Sequence, residues 1–111
     1  MATRSIIFFG DDTKGRYVHF DGDLVGRELR AIIKRDGLEK ARETIMSHNW
    51  TFIDADFITE SFNFRGVTIE GYGSAFKEDD GFIDLEKDDI SFADYIHTVT
   101  RNGAVKSRGR Y

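Results

Sequence analysis

The sequence of 111 residues contains no cysteine and no proline. Without cysteine, the chain can form no disulfide, no cysteine-ligated zinc site and no catalytic thiolate. Since it also has no proline and no internal repeats, no stretch marks a linker between domains. A chain of this length can bury one hydrophobic core, so we predict a single domain over residues 1–105 and a short basic tail over residues 106–111.

Long apolar runs are also missing. The apolar run at residues 6–9 is far shorter than the roughly 20 residues that a membrane-spanning helix needs. It is also too short for the apolar part of a secretory signal peptide, and no cleavage motif follows it. The sequence therefore predicts a protein that stays in the cytoplasm and has no membrane partner.

Charge is distributed unevenly along the chain, although the net charge is only −4. Residues 101–111 carry four basic side chains and no acidic one, which leaves 12 basic and 20 acidic residues in the first hundred. An acidic body repels the phosphate backbone, so nucleic acid is a disfavoured partner. The alternative is a weak, salt-sensitive contact through Arg108, Arg110 and Tyr111. We expect this tail to be frayed instead.

An N-terminal β-hairpin is predicted by residues 3–9 and 15–20. Both stretches are rich in β-branched and aromatic residues, and a turn cluster, Gly-Asp-Asp-Thr-Lys-Gly, separates them. The cluster has the outline of a phosphate-binding loop. However, Gly15 is followed by Arg16 and Tyr17 rather than by Lys and Ser or Thr, and we expect a strand rather than a helix to follow. We therefore reject that motif.

Two helices are predicted after the hairpin. In residues 23–37, apolar side chains recur at i, i+4, i+7 and i+8 from Val25, Asp23 suits the N-cap, and Gly37 suits the position just past the end. Gly26 costs the helix about 1 kcal/mol relative to alanine, so close packing at this position is expected. Residues 38–48 continue as a second amphipathic helix.

The middle of the chain gives a less regular pattern. Residues 49–57 fit a loop or a short irregular strand, anchored by burial of Trp50. Residues 66–76 alternate as a strand does, with one face that shrinks to small residues. Residues 82–85 fit a further short strand after an acidic turn.

The last part of the chain predicts a second hairpin. Residues 91–100 and, less strongly, 104–107 read as strands, and Asn102-Gly103 between them suits a two-residue type I′ turn. Together these elements predict an α+β fold, with an antiparallel sheet of about five strands and two helices packed on one face.

Candidate chemistry centres on the segment that ends the first hairpin. In a strand, Tyr17, His19 and Asp21 project to the same face. An H-x-D pair can ligate a metal or act as a His-carboxylate dyad, with Asp23 as a further acidic residue. The sequence offers no third ligand at diagnostic spacing, since His48 and His97 lie on other elements.

The favoured interpretation of this segment is a surface that faces solvent or a partner. Asp21 and Gly22 then turn the chain, and Asp23 caps the helix. We accordingly assign no catalytic residue, no metal ligand and no cofactor. The predicted binding residues are Tyr17, His19, Asp21, Asp23 and Trp50.

The acidic segment at residues 78–89 suggests calcium, but the spacing fails. When Gly81 takes the sixth position of an EF-hand loop, the first position falls on Phe76, which is no ligand. An ordinary solvated hairpin is favoured, and it could present an acidic surface to a basic partner.

Three motifs carry a resemblance to a family. The start Met-Ala-Thr-Arg-Ser with its short apolar strand, the segment Tyr17–Gly22, and the late Tyr/Gly-rich and aromatic strands resemble small uncharacterised proteins of bacteriophages and bacterial genomes. Only residues 3–5 and 17–22 match specifically. The chain departs from the family at Phe20, where tryptophan is frequent, and after the Asp-Gly turn, where it has Asp23-Leu24 and lacks the family's usual proline.

The resemblance implies a virus-encoded accessory protein in the cytoplasm of a bacterial host, with no implied catalytic role. We therefore expect non-enzymatic binding of a host protein, in host takeover or counter-defence, and the sequence leaves open whether the chain also forms a homo-oligomer. The alternatives are a metal-dependent or His/Asp-assisted enzyme centred on His19, Asp21 and Asp23, and a weak nucleic-acid binder that uses the basic tail.

Overall fold

The structure is a computed structural model that describes residues 3–10, 12–59, 66–77 and 81–109. Two helices and eight strands lie within those residues. In chain order they are β1 (Ser5–Phe9), β2 (Lys14–Val18), α1 (Val25–Asp36), α2 (Leu38–Ile45), β3 (Trp50–Ile53), β4 (Val67–Ile69), β5 (Gly73–Ala75), β6 (Ile83–Asp84), β7 (Tyr95–Val99) and β8 (Val105–Gly109).

The strands form a mixed sheet in the order β4-β5-β3-β2-β1-β7-β8, and β6 pairs with β2 outside this order. β1 and β2 form the predicted antiparallel hairpin, but β1 also pairs in parallel with β7, and β2 pairs in parallel with β3. The α+β class is confirmed, whereas the prediction of about five antiparallel strands is wrong. The physical reason is that α1 and α2 form a crossover between β2 and β3, and strands joined in this way run parallel.

The helices begin and end close to their predicted positions. α1 starts at Val25 with Leu24 as its N-cap, and no side chain caps it, so the assignment of Asp23 as the N-cap is wrong. Gly37 ends α1 with φ 90°, as its lack of a side chain predicts, and its N–H donates to the carbonyl of Ile33. No helix in the part of the chain that the structure describes is long and apolar enough to cross a bilayer.

The main core lies between the helices and one face of the sheet. Strand register places Ser5, Ile7 and Phe9 of β1 on this face, together with Val18 and His97. The apolar side chains that the helices and strands bury there include Val25, Leu29, Ile32, Ala41, Ile45, Ile7, Phe9, Val18, Trp50 and Val99.

The opposite face of the sheet carries a smaller apolar cluster. Ile6 and Phe8 of β1 pack there against Ala93, and residues 83–96 contribute further partly buried apolar side chains. The loop that contains β6 thus covers part of the face that the helices leave open.

Residues 66–76 form a hairpin rather than one extended strand. β4 and β5 pair antiparallel, and Gly71, with φ 78°, lies in the turn between them. The guanidinium of Arg35 holds this turn by donating to the carbonyls of Gly71 (2.9 Å) and Ala55 (2.7 Å).

The second hairpin differs from the prediction in its turn and its length. Gly103 has φ 84° while Asn102 has a negative φ, and Gly103 N–H donates to the carbonyl of Thr100, so this is a three-residue loop rather than a type I′ turn. β8 continues to Gly109, so residues 106–109 belong to the sheet and not to a frayed tail. Arg110 and Tyr111 lie outside the described residues.

Candidate functional site

The site begins with a hydrogen-bonded pair of side chains at the end of β2. Tyr17 is the register partner of Ile6, and its ring therefore lies on the sheet face opposite the helices. The hydroxyl of Tyr17 lies 2.6 Å from Nδ1 of His19. With a neutral imidazole that carries its proton on Nε2, the phenol donates to Nδ1. The sequence prediction that Tyr17 and His19 share a surface is confirmed.

Aromatic rings from three parts of the chain surround this pair. Tyr17 stacks on Phe76 with centroids 6.4 Å apart and meets the edge of Phe92 at 5.7 Å. His19 packs against Phe20 at 4.5 Å. We call this group the aromatic patch, and it consists of Tyr17, His19, Phe20, Phe76 and Phe92. Phe20 is 44% exposed, and the other four rings are partly exposed.

One cation borders the aromatic patch. The guanidinium of Arg4 lies 5.5 Å from the centre of the Phe92 ring, within cation–π range. Burial raises the pKa of Tyr17, and the positive charge of Arg4 opposes this rise in part. Tyr17 is therefore a neutral phenol at physiological pH, able to donate a hydrogen bond but not to act as a phenolate.

Asp21 and Asp23 do not join the Tyr17–His19 pair. Asp21 adopts φ 55° in the turn that leads into α1, and its carbonyl accepts from Leu24 N–H. Its side chain lines a recess of about 370 Å³ between the start of α1 and the end of β3, together with Glu28 and Asp54. Among the described residues, no three His, Asp or Glu side chains are grouped as metal ligands would be. The fold therefore does not assemble a metal centre from His19, Asp21 and Asp23.

Trp50, which the sequence placed among the binding residues, is a core residue. It is 0% exposed, and its indole Nε1 donates to the carbonyl of Ile45 at 2.9 Å. As the register partner of Val18, it lies on the helix side of the sheet, away from the aromatic patch. Its inclusion in a contact surface is therefore corrected, whereas its expected role as a buried anchor is confirmed.

A histidine that the sequence did not mark as a site residue holds the turn at Asp21 and Gly22, next to the aromatic patch. His97 of β7 is 0% exposed, and its Nε2 lies 2.6 Å from the carbonyl of Gly22, to which it donates. Its Nδ1 lies 2.7 Å from Oγ of Ser107. Burial lowers the pKa of His97, although the bond to Gly22 opposes this change. The alternation of His97 with Val99 along β7 was the signal that it points inward.

The acidic segment organises its own loop. The carboxylates of Asp84, Asp88 and Asp89 accept hydrogen bonds from main-chain N–H groups at 2.7–2.9 Å. The bond from Ser91 N–H lowers the pKa of Asp89. Phe82 and Leu85 are exposed on this loop. Glu78, Asp79 and Asp80, which the sequence included in the acidic surface, lie outside the described residues.

Comparison with family models, curated proteins and solved structures finds no match to this chain.

Proposed function

We propose that this chain is a non-enzymatic binding protein that recognises another protein through the aromatic patch. The observation that carries the proposal is the convergence of Tyr17, Phe76 and Phe92, which are far apart in sequence, on the sheet face that the helices leave open. Phe20 extends the patch into solvent.

Partly exposed aromatic rings are suited to binding because they bury much apolar area with few rotatable bonds. Aromatic side chains, with tyrosine prominent, are enriched at the centres of protein interfaces and among the residues that contribute most to affinity. The Tyr17 and His19 rings are already fixed by their mutual hydrogen bond, so little side-chain entropy is lost when a partner covers them.

On the side of the patch at Phe20, the surroundings favour a partner segment with apolar and basic side chains. Asp21 follows Phe20 directly, and the recess that it lines also contains Glu28, Asp54 and the ring of Phe52. Arg27 contributes one positive charge there, but it lies 3.5 Å from Glu28 and is offset by it. Complementary charge across an interface raises the association rate and selects the partner.

Within this proposal, the partner is a host protein in the bacterial cytoplasm, and the chain is a virus-encoded factor in host takeover or counter-defence. The support for this setting is the resemblance of residues 3–5 and 17–22 to phage proteins. Tyr17, His19 and Phe20 of the second segment belong to the aromatic patch.

The test uses Phe20→Ser and, as a matched control, Leu85→Ser. Phe20 and Leu85 have nearly equal exposure, 44% and 42%, but Leu85 lies on the acidic loop. Each tagged protein is used to capture partners from bacterial lysate, and the dissociation constant of each purified candidate is then measured. We expect Phe20→Ser to weaken binding at least ~10-fold, as loss of an interface hot spot does, and Leu85→Ser to change it less than ~2-fold.

Two results would overturn the assignment. Loss of binding in Leu85→Ser alone moves the contact surface to the acidic loop. Equal binding by the wild type and both variants removes the aromatic patch from the interface. Circular dichroism and the urea midpoint of each variant verify that neither substitution alters the fold.

A further inference from the structure

A second surface, separate from the aromatic patch, lies at the outer edge of β8. β8 is the last strand in the sheet order, and β7 pairs with one side of it. Within the residues that the structure describes, no strand pairs with its other side. A strand edge presents main-chain N–H and C=O groups, which form the template for an added strand.

The hairpin register identifies the main-chain groups that point outward. Thr100 N–H donates to the carbonyl of Ala104, which therefore points toward β7. Hydrogen-bonded and non-hydrogen-bonded pairs alternate in an antiparallel ladder, so the main-chain groups of Val105, Ser107 and Gly109 point away from β7. In agreement, Nη2 of Arg30 reaches the carbonyl of Val105 from outside the hairpin at 3.0 Å. Ser107 and Gly109 thus offer donors and acceptors at the edge.

Positive charges flank this edge on both sides. Lys106 and Arg108 are exposed and, being two residues apart, project together on the face opposite the helices. On the helix side, Arg30 contacts β8, and Arg27 and Lys34 lie about one turn before and after it along α1. This basic edge contrasts with a chain whose net charge is −4.

A recess of about 280 Å³ lies beside Arg108 and Gly109. Ile90, Ala93 and Ile96 contribute apolar walls. Asp94 is the carboxylate at this recess, and it accepts a hydrogen bond from Arg4 N–H at 3.1 Å. The recess lies on the same face of the sheet as Lys106 and Arg108.

A second copy of the chain fits this edge poorly. Antiparallel pairing of two β8 strands about Ser107 would place Lys106 of one copy opposite Arg108 of the other on the same face. Like charges in directly opposed positions destabilise strand pairing. An acidic strand reverses the sign of these contacts and makes them favourable.

We infer that the outer edge of β8 binds an extended protein segment that carries acidic side chains at alternate positions, by adding it to the sheet. Side chains two residues apart on the added strand have the same spacing as Lys106 and Arg108, so both cations are matched at once. The row of outward-pointing main-chain groups favours a strand over nucleic acid as the ligand. Phosphate recognition depends mainly on the cations and does not require such a row of main-chain groups. This inference does not depend on the aromatic patch.

The experiment uses three blocked seven-residue peptides. The first has glutamate at alternate positions with valine and threonine between them, the second has glutamine in place of glutamate, and the third is the glutamate peptide N-methylated at alternate residues. Affinity is measured by calorimetry, and protection of the Ser107 and Gly109 amides by hydrogen exchange. We expect the glutamate peptide to bind and to protect both amides, the glutamine peptide to bind at least ~10-fold more weakly, and the N-methylated peptide not to bind.

The variant for this test is Lys106→Glu/Arg108→Glu, and the control is Lys14→Glu/Lys87→Glu. Both double variants change the net charge equally, and all four side chains are exposed. We expect only the first to lose the glutamate peptide. The inference is overturned if the N-methylated peptide binds as tightly as the unmodified glutamate peptide, or if the peptide protects amides other than those of Ser107 and Gly109. If the protein binds a single-stranded oligonucleotide but not the peptide, and Lys106→Glu/Arg108→Glu abolishes that binding, the edge is a nucleic-acid site instead.

Discussion

Oγ of Ser107 lies 2.7 Å from Nδ1 of His97, and the Cα of Gly26 in α1 packs directly over this hydroxyl. A methyl group added at Gly26 would overlap with Oγ of Ser107 and lie 3.4 Å from Nδ1 of His97. The glycine that weakens α1 in isolation is therefore the residue that lets the helix approach β8.

The first prediction concerns this close approach. Gly26→Ala favours an isolated helix by about 1 kcal/mol, but here we expect it to destabilise the protein by about 1–3 kcal/mol, because the methyl group displaces Ser107. Urea unfolding measures the change. In the background Ser107→Gly, the same substitution meets no hydroxyl, and we expect its cost to disappear. An increase in stability on Gly26→Ala alone would contradict the packing.

The second prediction concerns the protonation of His97. Since burial holds the folded-state pKa of His97 below the ordinary histidine value of 6.5, the unfolded chain binds more protons than the folded protein as pH falls below 6.5. The contribution of His97 to stability is therefore complete above this pH and declines between 6.5 and the lower folded-state value. We expect the urea midpoint to decrease in that window, and to decrease less in His97→Gln. Identical pH profiles for the two proteins would contradict this.

The third prediction concerns Asp36 at the end of α1. Its carboxylate accepts two hydrogen bonds from Arg35, at 2.9 Å each, and one from the Tyr72 hydroxyl at 2.7 Å. These bonds, chiefly the two from Arg35, hold the pKa of Asp36 well below the ordinary aspartate value of 3.8. The stability that the ionised carboxylate contributes is therefore present above pH 3.8 and is lost as pH falls toward the folded-state value.

Urea unfolding across this acid range tests the prediction. We expect the urea midpoint of Asp36→Asn to depend less on pH below 3.8 than that of the wild type. Tyr72→Phe removes one of the three bonds, so its pH dependence should be intermediate between those two. The same slope of urea midpoint against pH in all three proteins would show that these hydrogen bonds do not stabilise the ionised carboxylate in the folded state.

The fourth prediction concerns Trp50, the single tryptophan of the chain. Its complete burial predicts a blue-shifted fluorescence maximum that moves to longer wavelength on unfolding. Trp50→Phe leaves the Ile45 carbonyl without its donor, and we expect a loss of about 1–3 kcal/mol. Native emission at the wavelength of solvated tryptophan would contradict the core assignment and restore Trp50 to the surface.

Local signals in the sequence predicted local structure well. The apolar period of α1, the C-terminal role of Gly37 and the hairpin of β1 and β2 all follow from patterns within a few residues. Failures occurred where a local preference competed with tertiary structure. Asn102-Gly103 suits a two-residue turn, but the loop takes three residues, with only Gly103 at positive φ.

In the candidate site, too, the sequence predicted the local arrangement but not the contacts between distant strands. The shared surface of Tyr17 and His19 followed from strand alternation, because these residues are adjacent in the pattern. Phe76 and Phe92 reach Tyr17 only through the pairing of distant strands, and no periodicity in the sequence indicates that contact. The prediction of Trp50 as a binding residue was wrong because a large aromatic side chain is equally suited to an interface and to a core.

The parallel pairing of β1 with β7 has a consequence for the order of folding. Ser5 is the register partner of Tyr95, so β1 lies beside a strand that is synthesised long after it, and β1 occupies an interior position in the sheet. Closing so long a loop is entropically costly and slow. On the ribosome, the hairpin of β1 and β2 and the two helices can form early, whereas the completed sheet must wait for synthesis of β7. Because the chain has no proline, its refolding has no proline isomerisation phase to obscure this step.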